Sequence, residues 1–274
     1  MSSGGCEPRS DEFQFGGYRY NTQRFEQWKL PRSLREISGL AQTDDGRLFA
    51  HADERAIIHQ IDYQSGKRLK SFSLSRQPGG KAIRGDFEGI AVVENQVYLV
   101  TSQGTIYISR LGMDGGAESF QAHSTGLAEV CEVEGLAYHR NLHTLLLACK
   151  SVRGAELRGK VVIFQWSLDR QALVRDATIS IPLATIAIRL GGSNRFNPSG
   201  IAVSPRNGNL VIVAAQQRAL LEITMAGDLV NVFTLPMQRY HRQTEGIALF
   251  ANGTLILADE GGSKRGRLGV YRAD

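Results

Sequence analysis

Six carboxylates fall into two sets within a recurring motif. Glu88, Glu134 and Glu245 each stand immediately before a glycine, in Asp86-Phe87-Glu88-Gly89-Ile90-Ala91, Glu132-Val133-Glu134-Gly135-Leu136-Ala137 and Gln243-Thr244-Glu245-Gly246-Ile247-Ala248. Asp86 and Glu132 lie two positions earlier, and Glu36 holds that place in Glu36-Ile37-Ser38-Gly39-Leu40-Ala41. A further copy, Asn197-Pro198-Ser199-Gly200-Ile201-Ala202, puts Asn and Ser at the same two positions. Both positions are oxygen-bearing in every copy. Such donor sets suit hard cations, Ca²⁺ first and Mg²⁺ or Mn²⁺ next. Without a cation, clustered carboxylates repel one another and some take up protons. The plainer reading is architectural. The glycines would mark close backbone approach, and the acids would pair with Arg35, Arg84, Arg195 and Arg242, just ahead of four of the copies. A bound cation is the favoured of the two.

To bring these residues together, each copy must open the innermost strand of a repeated unit. A spacing near fifty residues is an internal repeat, and the segments between copies read as short alternating strands bounded by Gly, Asn, Asp and Ser. Four antiparallel strands per repeat describe a propeller blade. After Gly246 the chain has room for only three, and the missing fourth is found near the front, where Arg24-Phe25-Glu26-Gln27-Trp28-Lys29-Leu30-Pro31 lines up with the outer strand before Gly246. The expected fold is all-β, a five-bladed β-propeller whose last blade is closed by an N-terminal strand. It occupies residues 18–274 as one domain, after a disordered leader at 1–17.

Within each unit the second strand runs back, so its end lies beside the start of the first. That brings His51, Asp53 and Glu54 of the first repeat, and Asp259 and Glu260 of the fifth, to the same mouth, with Lys150 from the third. His241 enters just ahead of the fifth copy. His51 and His241 are the candidates for a general base near neutral pH, against the favoured alternative of histidines capping strand ends. Two long connections in the third repeat, 150–159 and 184–196, are candidate binding loops. Hairpin register sets Cys131 opposite Cys149. Two buried thiols are expected there, with a disulfide available in an oxidising compartment.

Composition narrows the rest. The 274-residue chain carries a net charge of +5, but its lysines and arginines are dispersed, so nucleic acid is not an expected partner. Three cysteines make no disulfide framework or zinc signature. No apolar run is long enough to span a bilayer, and no export signal opens the chain. There is no nucleophile elbow, P-loop or dinucleotide fingerprint.

The phrases around Ser38-Gly39, Glu88-Gly89 and Ser199-Gly200, with Ala258-Asp259-Glu260, resemble the SdiA-regulated (YjiK-like) propeller family over residues 25–272. The resemblance implies a five-bladed propeller distantly related to NHL-repeat propellers, in an extracytoplasmic setting. It also implies a calcium site at Glu88, Glu134 and Glu245, with Asp86, Glu132 and Glu36 as neighbours. The expected function is that of a calcium-binding, monomeric binding or scaffolding module for a protein or small anionic ligand. The alternative is a metal-dependent hydrolase of the lactonase or phytase type, with the arginines drawing in a small anionic substrate.

Overall fold

The computed structural model describes residues 11–274. Five sheets surround one axis. Blade 1 runs outward through Ile37–Gln42, Leu48–Ala52, Ile57–Asp62 and Lys67–Leu74. Blade 2 comprises Phe87–Val93, Gln96–Thr101, Thr105–Arg110 and Gln121–Ser124. Blade 3 has Cys131–His139, Thr144–Val152 and Lys160–Ser167, with its outer place shared by Ala172–Leu173 and Ile179–Pro182. Blade 4 comprises Gly200–Val203, Leu210–Ala214, Ala219–Ile223 and Leu229–Thr234. Blade 5 has Thr244–Leu249, Leu255–Asp259 and Arg267–Tyr271, and its fourth strand is Glu26–Lys29. Arg267 pairs with Lys29 and Leu268 with Trp28, so the ring closes as the sequence predicts and blade 5 keeps no bare edge toward the N-terminal side.

Every repeat motif opens an innermost strand, and each of these strands packs against its two neighbours around the ring. Glycine permits that approach. A Cβ on Gly89 would stand 2.7 Å from the backbone nitrogen of Leu136, and one on Gly200 would stand 2.9 Å from the carbonyl of Glu245. The alternating apolar side chains fill the five spaces between adjacent blades. Ile90, Leu99 and Phe72 lie between blades 1 and 2. Trp166, Leu147 and Val100 lie between blades 2 and 3, and Ile163, Ile212 and Leu221 between blades 3 and 4.

Residues 11–17, expected within the leader, are ordered instead; residues 1–10 lie outside the described residues. Glu12–Phe15 and Tyr18–Asn21 form a hairpin whose Phe15, Tyr18 and Tyr20 are buried against blades 4 and 5. The turn is held by buried Glu222, which accepts from the Gly16 amide at 2.9 Å and from Asn207 and Asn209. This aromatic burial is what a polar leader would lack. The hairpin is a second latch beside the closing strand, at the face opposite the acidic motifs. No helix among the described residues is long and apolar enough to cross a membrane.

Candidate functional site

The inner strands do not alternate cleanly at their first residues. In blades 1, 2, 3 and 5 the register with the second strand slips between Ile37 and Gly39, Phe87 and Gly89, Val133 and Gly135, and Thr244 and Gly246. The residue left over at each slip is Ser38, Glu88, Glu134 or Glu245. A β-bulge bends the strand and re-aims the extra side chain, and here it separates the two sets of acids. Glu36, Asp86 and Glu132 stay at the rim; the bulged glutamates sit deeper. Glu88, Glu245 and Ser38 line a cavity of roughly 10 Å³, about the size of one water, where the axial channel narrows between the five inner strands.

Blade 3 supplies a cation. Lys150 Nζ lies 2.7 Å from Glu134 Oε1 and 3.8 Å from Glu132 Oε1. Burial of Lys150 opposes its charge, but the bond to Glu134 and the fields of Glu134, Glu132 and Glu245 outweigh it, raising its pKa. Burial also leaves Glu134 above the usual carboxylate range despite this bond. The other acids fare worse. Burial first, then Glu134 and Asp86, push Glu88 up to about 9. Burial, Glu260 and Glu134 push Glu245 to about 8. Burial, Asp53 and Glu36 bring Glu260 to about 7, and Asp53 is itself raised by burial and by Glu36 and Glu54. The Gln243 side chain draws both Glu245 and Glu260 partly back toward the usual carboxylate range. Asp86, Glu88, Glu134, Glu245, Glu260, Asp53 and Glu36 thus act on one another's charge across the blades.

The bulge position is a serine in blade 1, and in blade 4 the residue before the glycine is Ser199. Ser199 Oγ donates to the Thr244 carbonyl at 2.7 Å and accepts from the Ala215 amide at 3.0 Å, so it ties blade 4 to blade 5. Asn197 also turns away from a ligand role: its Nδ2 donates to the Lys150 carbonyl at 3.0 Å, and its Oδ1 accepts from Gln217.

Neither histidine candidate for a general base stands at the mouth. His51 is fully buried, with Nδ1 3.2 Å from the Ala52 carbonyl and Nε2 packed toward Gly39. Burial drives its pKa down to about 4, so it is neutral and enclosed. His241 is fully buried too. Its Nδ1 lies 2.8 Å from Asp259 Oδ2 and its Nε2 2.8 Å from the Tyr271 hydroxyl, while Thr244 donates to Asp259 Oδ1 at 2.8 Å. Asp259 therefore belongs to the interior of blade 5, not to the mouth. The strand-period argument failed at these positions because the side chains of the second strand point between blades. Tyr271 is thirty residues from His241 and no local pattern signals the contact.

The arginines do not make one collar. Arg35 pairs with Glu36 at 2.8 Å and Arg84 with Glu54 at 3.6 Å, all on the outer rim. Arg195 and Arg242 are exposed and make no ion pair among the described residues. The Cys131 and Cys149 sulfurs are bonded, correcting the expectation of two thiols, and the bulge offsets their register so that Cys149 faces Val133 and Cys131 faces Val152.

The acids expected to hold calcium are oxygen donors, but the Lys150 ammonium stands 3.8 Å from Glu132 and 2.7 Å from Glu134. Among the described residues no group of three or more His, Cys, Asp or Glu side chains is arranged to hold a metal ion. The residues as placed do not fit a resident calcium.

No family model matches the chain. Its fold is that of solved β-propellers. A glutaminyl cyclase from Myxococcus xanthus superposes with a TM-score of 0.60 at 17% identity, covering 91% of this chain and 94% of that one. A gluconolactonase from Xanthomonas campestris gives 0.51 at 14%, covering 87% and 72%. A PQQ-bound aldose sugar dehydrogenase from Streptomyces coelicolor gives 0.52 at 15%, covering 92% and 99%. At these identities the likeness is one of fold.

Proposed function

We propose that the channel mouth is a small-molecule site that works by proton transfer and receives a ligand bearing positive charge. The observation that carries this reading is the imbalance around Lys150, where one ammonium serves Glu132 and Glu134 while Glu88, Glu245 and Glu260 are held up to about 9, 8 and 7. Carboxyls poised near neutral pH can give or take a proton in a reaction. A cation arriving among them would favour their ionised forms, so its binding should tighten as pH rises through that range. The enzymes with similar propellers, a cyclase and a lactonase among them, are compatible with a catalytic role on the same scaffold, although a fold hosts many chemistries. An anionic substrate is disfavoured, since Arg35 and Arg84 are engaged with rim acids.

The second reading is the calcium-binding module, favoured by the oxygen-only character of the ring; it requires Lys150 to give way to the metal. Calorimetric titration of the intact chain with CaCl₂, and separately with small organic ammonium compounds including glutamine-terminated peptides, decides between them. The proposal expects ammonium binding with release of protons, lost in Glu88→Gln/Glu245→Gln. Stoichiometric calcium uptake with a higher Tm and no ammonium binding would replace it with the second reading. Binding of neither overturns both. Turnover of the peptides, or of lactones in a parallel assay, would establish catalysis if the same double variant abolishes it.

A further inference from the structure

We propose that the Cys131–Cys149 disulfide is a positioning element of the acidic mouth, fixing the blade 3 bulge so that Lys150 stays seated between Glu132 and Glu134. This deepens the reading of the mouth as a cation-receiving site and rests on it. The two bonded residues are the immediate chain neighbours of the residues concerned. Cys131 precedes Glu132, and Cys149 precedes Lys150. Their Cα atoms are 5.8 Å apart, on the two strands whose pairing slips between Glu132 and Val133 and again between Val133 and Gly135. A doubly shifted ladder has fewer regular hydrogen bonds to hold it, and this is where the covalent link lies. Both cysteines are buried among Leu127, Val133 and Leu147, so the link has a packed seat.

Beyond the slip the ladder keeps only two further pairs, Cys131 with Val152 and Glu132 with Ser151, and side chains and loop bonds add to them. Ser151 Oγ reaches Glu132 Oε2 at 3.1 Å, the Val133 amide donates to the Ser102 carbonyl at 2.8 Å, and the Arg153 amide donates to the Val130 carbonyl at 2.8 Å. Reduction of the disulfide by an added dithiol, which is itself oxidised to a cyclic disulfide, breaks the S–S bond and leaves two thiols. The strands could then slide in register, carrying Lys150 away from Glu134. A disulfide in this role also suits an oxidising compartment.

The test uses the full chain and no ligand, so it does not depend on the outcome of the binding experiments. Thiol titration of the denatured chain should find one reactive cysteine of the three before reduction and three after. Lysine acetylation footprinting then reads Lys150 directly. In the oxidised chain its ion pair should protect it. After dithiol treatment, and in Cys131→Ala/Cys149→Ala, its labelling should rise severalfold while Lys160 on the same blade stays constant. Re-oxidation of the reduced chain should restore protection. Three free thiols in the untreated chain would overturn the proposal. So would Lys150 labelling that is unchanged by reduction, even if Tm falls, because the bond would then be stabilising the blade without placing the lysine.

Discussion

Blades 3 and 5 present the same bulged glutamate to the channel and secure it by different means. Val133 and Thr244 precede the bulges, and the residues facing them on the second strands are Cys149 and Asp259. Each is followed by a residue at the mouth, Lys150 or Glu260. In blade 3 the structural position is covalent and the mouth residue is a cation. In blade 5 Asp259 accepts from Thr244 and His241, His241 reaches Tyr271, and the mouth residue is a second acid relieved only by Gln243. The glycine is thus common to all five repeats and the bulge to four of them, whereas support and charge are particular to each blade. The difference leaves Glu134 with a charge-assisted bond and Glu245 without one.

The blade 5 network should be the more fragile. His241→Ala removes a buried hydrogen-bond partner of Asp259, orphans the Tyr271 hydroxyl and leaves a cavity, together worth about 4 kcal/mol. Chemical denaturation should show it as a large drop in midpoint. In blade 3, Cys131→Ala/Cys149→Ala releases a loop closed across 18 residues, for which chain entropy predicts about 3 kcal/mol. If the disulfide variant loses more than His241→Ala, the ranking of the two supports is reversed.

How much of this was legible beforehand follows from the same pair of blades. The glycine with its following apolar pair exposed the ring, because close approach of inner strands admits no side chain and recurs in every blade. Strand closure was readable too, since Glu26–Lys29 matches an outer-strand pattern and the fifth repeat lacked one. The depth of the acids was not. Strand period assigns Asp86 and Glu88 to one side, and only the bulge separates them. Aligning the repeats does set Cys149-Lys150 against Asp259-Glu260, which was a signal for Lys150 as a mouth residue. The partners His241 and Tyr271 meet through tertiary packing alone. The N-terminal hairpin was missed because its composition is polar and glycine-rich, while its four aromatic residues find a surface that exists only after blades 4 and 5 are assembled.

A smaller effect separates the mouths themselves. Lys150→Met removes the ammonium that holds Glu134 ionised, at a cost of about 2 kcal/mol for a hydrogen bond to a charged group. The loss should be larger at pH 8 than at pH 5, because protonation of Glu134 as pH falls removes the charge that Lys150 pairs with. Equal destabilisation at both values, by thermal melts at constant ionic strength, would show that Lys150 contributes packing and not charge.

The smallest effect belongs to Gln243→Ala, and it tests whether blade 5 depends on a neutral partner. Glu245 and Glu260 stand above their ordinary value of 4.5, at about 8 and about 7. A carboxyl raised in the folded state binds more protons there than in the unfolded chain. Its favourable contribution is therefore complete below pH 4.5 and is lost as pH climbs through the folded value. The wild-type chain should lose stability between pH 5 and 9 on this account. Removing Gln243 takes away a polar neighbour that favours the ionised forms, so both values rise further and the decline extends to higher pH. At pH 5 the variant should match wild type in this respect; at pH 9 it should fall below it by less than about 1 kcal/mol, the size of a single exposed hydrogen bond. A variant curve parallel to wild type from pH 5 to 9 would mean that Gln243 does not share in the titration, and that the acids of blade 5 are tuned by burial and by one another alone.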